Sequence, residues 1–232
     1  MRKFIFALSA AVCMLCAGCG GLGGTMTADF SLGSSEDFIL SEGRPDAGTY
    51  GCDWEKSAVS FGEEGMAVTL SRAGDVFTSG ACRSRRSYGY GAYTVLMKPV
   101  KNPGVWTVFA NGTDLREKDS RDEIRLEFPG SDTTKIRFHC ISNGEIVCDA
   151  LYDLGFDASE KAHSYGFIWM LEGVAWQVDG ETVHTITENL PVTPGRMMMS
   201  LWNSTDSEDG SGAYDGAAPL TAFFRSVRYI EP

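Results

Sequence analysis

Basic residues are outnumbered in this chain. Its 232 residues include 20 lysines and arginines against 31 aspartates and glutamates, which gives a formal net charge of −11. A nucleic-acid-binding protein needs a basic face to meet phosphates, and a polybasic membrane-surface protein needs clustered lysines or arginines. The charge balance excludes both classes. A hydrophobic content of 43% with 22% charged residues also excludes an intrinsically disordered chain.

Histidines and helix-forming patterns are also rare. Only three histidines are present, and the cysteine spacing resembles no zinc site, so we expect no metal ion and no cofactor. Few windows carry the apolar stripe of an amphipathic helix. Instead, residues 92–98, 135–141 and 174–178 alternate apolar and polar side chains, and a hairpin turn signal follows the last of them. We therefore predict one all-β domain, folded as an antiparallel two-sheet sandwich around one continuous core.

Long apolar runs are missing beyond the first residues. Residues 4–15 form an apolar stretch that follows a charged start at residues 2–3 and precedes small residues. This order is typical of a secretory signal, and the stretch is too short to span a bilayer as a mature helix. We predict a signal peptide over residues 1–18, and hence an exported protein.

The junction after this stretch carries a second signal. Residues 15–19, LCAGC, resemble a bacterial lipoprotein box in which Cys19 would be acylated. Plain secretion after cleavage nearby is the alternative. The Gly-rich residues that follow predict a lipid-anchor tether over 19–28 and a folded domain over 29–232. We expect a cell-surface or periplasmic lipoprotein that meets the membrane only through this anchor.

Besides Cys19, which would carry the lipid, four cysteines remain after export, an even number in a compartment that permits disulfides. We favour one bridge between Cys52 and Cys82 and another between Cys140 and Cys148. A hairpin turn sequence lies between the second pair, which would bring the two cysteines together. Free buried thiols are the alternative.

Residues 122–128, DEIRLEF, carry the most chemistry. On a strand, Glu123, Arg125 and Glu127 share one face, and apolar side chains share the other. Taken alone, this pattern is most often a solvated face over a hydrophobic one. The functional interpretation is a carboxylate pair that cleaves a glycosidic bond, with one nucleophile and one proton donor. At ~3.3 Å per residue the two Cα atoms would be about 13 Å apart, so the carboxyls must lean together to reach the ~5–5.5 Å of retaining enzymes.

From about residue 50 to residue 229, the sequence resembles the bacterial lichenases of glycoside hydrolase family 16, which are endo-β-1,3-1,4-glucanases. The matching stretches follow the family's order: YGYG at 88–91 with YTVLMKPVKNPG, then DEIRLEFPGSDTTKIRF, LGFDASEKAHSYGFIW, VDGETVH, PVTPGRMMMSLWN and VRY. The resemblance implies a curved, concanavalin-like jelly roll with a cleft across its concave face. It also implies a monomer that acts on a β-glucan polysaccharide. A calcium-binding Asp of the family falls on Arg225, which removes that metal site.

The resemblance makes Glu123 the nucleophile and Glu127 the proton donor. The central Asp of the family's DEIDIEF motif falls on Arg125. A cation between two carboxylates lowers both pKa values, so we expect Arg125 to pair with both, keep both ionised and weaken the acid step. Two hypotheses stay open. One is an exported retaining endo-β-glucanase, and the other is a catalytically impaired relative that binds glycan or serves as a structural surface lipoprotein.

Other cleft positions also bear on binding. Arg83, Trp202 and Asn203 match family residues and are expected to bind substrate. A substrate-binding Glu of the family falls on Ala81, and the Trp that precedes the catalytic motif falls on Arg121. Sugar faces stack on aromatic rings, so the loss of such platforms is expected to reduce binding energy.

Overall fold

The computed structural model describes residues 24–45, 48–113 and 120–232, which form seventeen β-strands and two short 3₁₀ helices at Phe30–Leu32 and Lys56–Ala58. The strands are β1 Thr25–Asp29, β2 Phe38–Leu40, β3 Asp53–Trp54, β4 Val59–Gly62, β5 Gly65–Ala73, β6 Val76–Ser79, β7 Ala81–Ser84, β8 Gly91–Lys98, β9 Val105–Gly112, β10 Glu123–Pro129, β11 Lys135–Ser142, β12 Glu145–Asp153, β13 His163–Met170, β14 Gly173–Val178, β15 Glu181–Ile186, β16 Arg196–Asn203 and β17 Leu220–Ile230. The prediction of an all-β chain is confirmed.

The strands form two packed sheets. One sheet has the order β15-β14-β13-β8-β17-β5-β6-β3, with β1 added beside β17 and β4 beside β5. The other has the order β12-β11-β10-β9-β16-β7-β2. Every pair except β3 with β6 is antiparallel. The predicted antiparallel sandwich is therefore confirmed, and the seven-stranded sheet contains Glu123, Arg125 and Glu127 in β10.

Tight hairpins set the register of two strand pairs, one next to β10 in the same sheet and one in the opposite sheet. Asn143 and Gly144 join β11 to β12, and Asp179 and Gly180 join β14 to β15. All four residues have φ between +49° and +84°. Positive φ at both central residues is the geometry of the hairpin turn whose twist matches the flanking strands. The first turn fixes the register of β11 against β12, and therefore which residue of β12 lies beside each residue of β11.

The core lies between the two sheets and is rich in aromatic rings. Phe128 on β10 packs edge-on against Tyr165 on β13, with ring centroids 4.8 Å apart. Phe138 on β11 stacks on Trp176 on β14 at 5.5 Å. Trp176 Nε1 also donates a hydrogen bond of 3.1 Å to the backbone oxygen of Arg125. Burial of each large apolar side chain contributes roughly 1.5–3 kcal/mol, so β10 is held firmly from its core side.

The folded domain begins earlier than the sequence indicated. Part of the predicted tether, Thr25–Asp29, forms β1 and pairs antiparallel with β17. Met26 and Ala28 are buried in this pairing, because alternation turns both side chains towards the core. The predicted tether over 19–28 therefore overlaps this strand at residues 25–28. The predicted signal peptide and Cys19 lie outside the described residues. Within the described ranges, no helix is long and apolar enough to cross a membrane.

The cysteines differ from the expectation. Cys52, Cys82, Cys140 and Cys148 are all free and buried, so neither predicted disulfide is formed. Cys140 and Cys148 do face each other across β11 and β12. The Cys148 sulfur, however, lies 3.7 Å from the backbone oxygen of Phe138 and 3.4 Å from His184 Nε2. Burial raises the pKa of Cys148 to about 11 and those of Cys52 and Cys82 to about 12, which disfavours the thiolate needed for disulfide chemistry.

Candidate active site

Alternation along β10 places Glu123, Arg125 and Glu127 on the sheet face opposite the core, which we call the cleft face. Glu123 is 6% exposed and Glu127 is 2% exposed. The interpretation of these residues as a solvated face is therefore wrong. The register gives each residue one neighbour on β9 and one on β11: Gly112 and Ile141 for Glu123, Ala110 and His139 for Arg125, Val108 and Arg137 for Glu127.

A cleft of about 850 Å³ opens above the Glu123 end of this face. Residues between 40 and 56 contribute one wall, and residues 193–196 contribute another. Small side chains at Ala110 and Gly112 form part of the floor beside Glu123. Because these side chains are small, a substrate has room to approach the Glu123 carboxylate.

Asp122 fixes the start of β10, a role that the sequence did not suggest. Its carboxylate accepts hydrogen bonds of 2.8 Å from the backbone nitrogens of Asn143, Val192 and Thr193. Burial alone would raise the pKa of Asp122, but these three donors outweigh it and lower the pKa below its usual value. One ionised side chain thus ties the β11–β12 turn and a cleft wall to the residue next to Glu123.

Glu123 is set up as an ionised group. Burial raises its pKa, but the nearby cations Arg125 and Arg121 attract the carboxylate more strongly, and the pKa falls below its usual value. Arg121 makes a direct ion pair with the Oε2 atom of Glu123. A buried carboxylate that stays ionised and faces a cleft is suited to act as a nucleophile.

Glu127 has the opposite tendency. Burial raises its pKa, and Arg125 and Arg137 offset this rise only in part. Arg125 Nε lies 3.4 Å from one carboxyl oxygen, and Arg137 Nη1 lies 3.4 Å from the other. A carboxyl with a raised pKa keeps its proton to higher pH, as a general acid must.

Arg125 pairs with one carboxylate only, which differs from the expectation. Within the described residues its ion pair is to Glu127, while the ion pair of Glu123 is to Arg121. The physical reason is His139. Arg125 Nε and Nη2 lie 3.2 and 3.1 Å from His139 Nδ1, and a guanidinium has only donors, so this nitrogen accepts. Burial, with the charge of Arg125, lowers the pKa of His139 to about 4, which keeps the ring neutral.

The predicted substrate-binding residues are placed differently from one another. Arg83 on β7 is exposed and lines the cleft. Trp202 is on the cleft face but is covered by Tyr50, with ring centroids 4.4 Å apart. Asn203 is 4% exposed, and alternation turns it to the core side of β16, where it lies close to Gly51. Contact of Trp202 and Asn203 with substrate stays a prediction.

The sequence did not single out four residues of the site: Tyr50, Arg137, His139 and Asp149. The signal for the β11 pair was present, because the polar positions of KIRFHCI alternate onto the same face as Glu127 and Arg125. Tyr50 had no such signal, since the segment that carries it reaches the cleft face from far away in the chain. Burial, together with the charge of Glu123, raises the pKa of Tyr50 to about 12, so its hydroxyl stays protonated.

Within residues 24–45, 48–113 and 120–232, no group of three His, Cys, Asp or Glu side chains is arranged to hold a metal ion. Arg225, which replaces the calcium-binding Asp of the family, donates a 2.9 Å hydrogen bond to the backbone oxygen of Glu63. His163 is used structurally. It stacks on Phe156 at 4.0 Å and contacts Asp179 at 2.7 Å.

Comparison with known proteins identifies the family of the chain. Residues 47–217 match the model of glycosyl hydrolases family 16. The chain is 39% identical to a β-glucanase of Bacillus subtilis (strain 168) over 212 residues, which cover 90% of this chain and 87% of the relative. The solved structure of a Bacillus licheniformis β-glucanase superposes with a TM-score of 0.85 at 35% identity, covering 90% of this chain and 99% of that one. A β-1,3-1,4-glucanase (lichenase) from a mouse hindgut metagenome has a TM-score of 0.84 at 32% identity, covering 90% of this chain and 99% of that one. The chain therefore belongs to glycosyl hydrolase family 16.

Proposed function

We propose that this protein is an exported, retaining endo-β-glucanase that hydrolyses β-1,3-1,4-linked or related β-glucans. One observation carries the proposal: Glu123 and Glu127 are both buried on the cleft face of β10, in a chain of a glycoside hydrolase family. The opposite directions in which their pKa values move support a division into nucleophile and acid. The names of the relatives, β-glucanases from several bacteria, support the substrate class.

The reaction in this proposal runs as two displacements at one anomeric carbon. First, the Glu123 carboxylate bonds to that carbon while the glycosidic C–O bond breaks, and the leaving oxygen takes the proton of Glu127. Then Glu127, now a carboxylate, removes a proton from water. The water oxygen bonds to the anomeric carbon, and the ester bond to Glu123 breaks. Two inversions give retention, and both carboxyls return to their starting protonation states.

A second candidate is a catalytically impaired protein that binds glycan or serves as a structural surface lipoprotein. The contact between Arg125 and Glu127 favours it, because a cation 3.4 Å from the acid opposes proton retention. The 2% exposure of Glu127 also favours it, since an acid must reach the glycosidic oxygen. The raised pKa of Glu127 favours the enzyme instead.

Hydrolysis of mixed-linkage β-glucan with retention is the expected result for the purified domain. The measurement is reducing-sugar release from mixed-linkage β-glucan, laminarin and cellulose across pH, followed by proton NMR of the first product formed. A retaining enzyme yields the β-anomer before mutarotation sets in. Early formation of the α-anomer would contradict the double displacement. Binding to β-glucan in affinity electrophoresis without any hydrolysis would favour the second candidate.

Anchoring is tested separately, through Cys19. The wild-type chain is expected to fractionate with membranes and to take up labelled fatty acid, because a diacylglyceryl group on Cys19 would hold it there. The Cys19→Ala variant should lose the label and appear in the soluble fraction. Cys13→Ala, the same change in the apolar stretch that precedes the box, is the matched control and should keep the label. A wild-type protein that is unlabelled and fully soluble would support plain secretion.

A further inference from the structure

We propose that Arg137 is a positioning residue that holds the Glu127 carboxyl and sets its protonation, and that its largest effect is on the second displacement. The inference rests on the proposed function, because it assigns Arg137 a part in that reaction. The guanidinium acts through Glu127 and does not itself need to touch the sugar.

Arg137 is fixed from three sides. Its Nε and Nη2 atoms make two parallel bonds of 2.7 Å to the carboxylate of Asp149 on β12. Its Nη1 donates to the backbone oxygen of Asp209 at 3.1 Å, and the guanidinium lies over the ring of Trp106 at 5.6 Å. Paired, planar bonds to a carboxylate give a guanidinium a defined orientation.

The same guanidinium reaches the candidate acid. Arg137 Nη1 lies 3.4 Å from Oε1 of Glu127, on the opposite side of the carboxyl from Arg125. The register makes this contact a direct cross-strand pair between β10 and β11. Because Arg137 is held by other groups, it offers Glu127 a cation whose position does not depend on substrate.

A retaining mechanism makes two demands on one carboxyl. Glu127 must donate a proton in the first displacement and accept one from water in the second, so its pKa must lie near the working pH. Burial alone pushes the pKa upward, which serves the acid step and impairs the base step. A fixed cation beside the carboxyl counters that rise and so favours the base form.

One other group near Glu127, Arg125, acts in the same direction as Arg137, and the remaining groups oppose it or carry no charge. Glu123 and Asp149 are anionic and raise the pKa of Glu127, whereas Arg125 lowers it, although Arg125 also bonds to neutral His139 and is not held by a second carboxylate as Arg137 is. The neighbours on β9 and β16 are Val108 and Ser200, which carry no charge. The titratable and charged groups that surround Glu127 are, by element, Glu123 and Arg125 on β10, Arg137 and His139 on β11, Asp149 on β12, Tyr50 from the loop before β3, and Asp209 after β16.

The first test measures protonation without catalysis. In the Arg137→Gln variant, the pKa of Glu127 is expected to rise by roughly 1–3 pH units, since an opposite charge at this distance lowers a carboxyl pKa by about that amount. NMR titration of isotope-labelled glutamate carboxyls gives the value, and Glu127→Gln identifies the signal. An unchanged pKa in a folded Arg137→Gln protein overturns the proposal, whatever the wild-type protein does with glucan.

The second test separates the two displacements. A dinitrophenyl β-glucan oligosaccharide needs no proton on its leaving group, so only the base step of Arg137→Gln should be slowed. We expect a burst of dinitrophenol, a glycosyl-enzyme detectable by mass on Glu123, and a steady-state rate that azide increases, because azide attacks without a base. Equal rates with and without azide and no trapped intermediate would contradict the assignment.

Two variants control for folding and charge. Arg137→Lys keeps a cation beside Glu127 but not the paired bonds to Asp149. The pKa of Glu127 should therefore be close to that of the wild type, while kcat stays reduced. Arg225→Gln removes an arginine from the opposite sheet. Its Glu127 titration and its time course of dinitrophenol release should match those of the wild type. A wild-type protein that cleaves neither substrate would refute the proposed function, yet the NMR titration would still decide the coupling between Arg137 and Glu127.

Discussion

Glu123→Gln is expected to reduce β-glucan hydrolysis by on the order of 10⁴-fold or more at every pH, because the amide cannot form the glycosyl ester. The substitution keeps the size of a side chain that is 6% exposed, so the fold should persist. Initial rates on mixed-linkage β-glucan measure the loss, and thermal unfolding verifies the structure.

Glu145→Gln is the matched control for this loss. Glu145 is exposed at the start of β12, outside the residues that line the cleft, and its replacement should leave the rate unchanged. A Glu123→Gln protein that retains more than a small fraction of wild-type turnover would mean that another group is the nucleophile. It would also remove the main support for a double displacement on β10.

Arg125→Asp restores the residue of the family motif and is expected to shift the whole pH–rate profile to higher pH. The change removes the cation 3.4 Å from Glu127 and adds a like charge, and both effects raise a carboxyl pKa, by ~1–3 pH units in total. Glu127 then keeps its proton to higher pH. On the alkaline side of the profile, turnover should increase about tenfold for each pH unit by which the pKa of Glu127 rises, because the protonated fraction increases by that factor. The acid limb should also shift to higher pH, because Arg125 lowers the pKa of Glu123 and its removal would raise that pKa.

The control for this prediction is Arg125→Gln, which removes the cation without adding an anion. Its profile should move in the same direction by a smaller amount. Profiles that coincide for wild type and both variants would show that Arg125 does not set the protonation of either carboxyl. Absence of turnover in all three, with normal thermal unfolding, would favour the glycan-binding or structural alternative.

The local features of the fold were predictable because they depend on short-range patterns. Alternation identified β8, β11 and β14, and the two turn sequences matched hairpins with positive φ. The strand β1 was missed, since its alternation is only two apolar residues long and follows a Gly-rich stretch. Pairing with β17, about 200 residues later, is what makes those two residues part of the core.

The candidate site was predictable in its residues but not in its electrostatics. The motif placed Glu123, Arg125 and Glu127 on one face, as observed. Which carboxylate Arg125 pairs with depends on His139, which lies across the register on β11. Tyr50, which packs on Trp202 at that face, comes from a segment in a distant part of the chain. Neither effect has a signal within the motif itself.

The contacts of Arg125 also link the stability of the site to residues on neighbouring strands. Arg125 bonds to His139, His139 faces Asp149, and Asp149 holds Arg137, so three adjacent strands share one set of charges. Residues within one such network typically couple by ~0.5–3 kcal/mol. A return to Asp at position 125 alone leaves His139 without its donor and sets one more carboxylate against Glu127 and Asp149. Arg125→Asp alone is therefore expected to lower the thermal stability, and a double-mutant cycle with His139 would measure how much of that loss comes from the contact between the two residues.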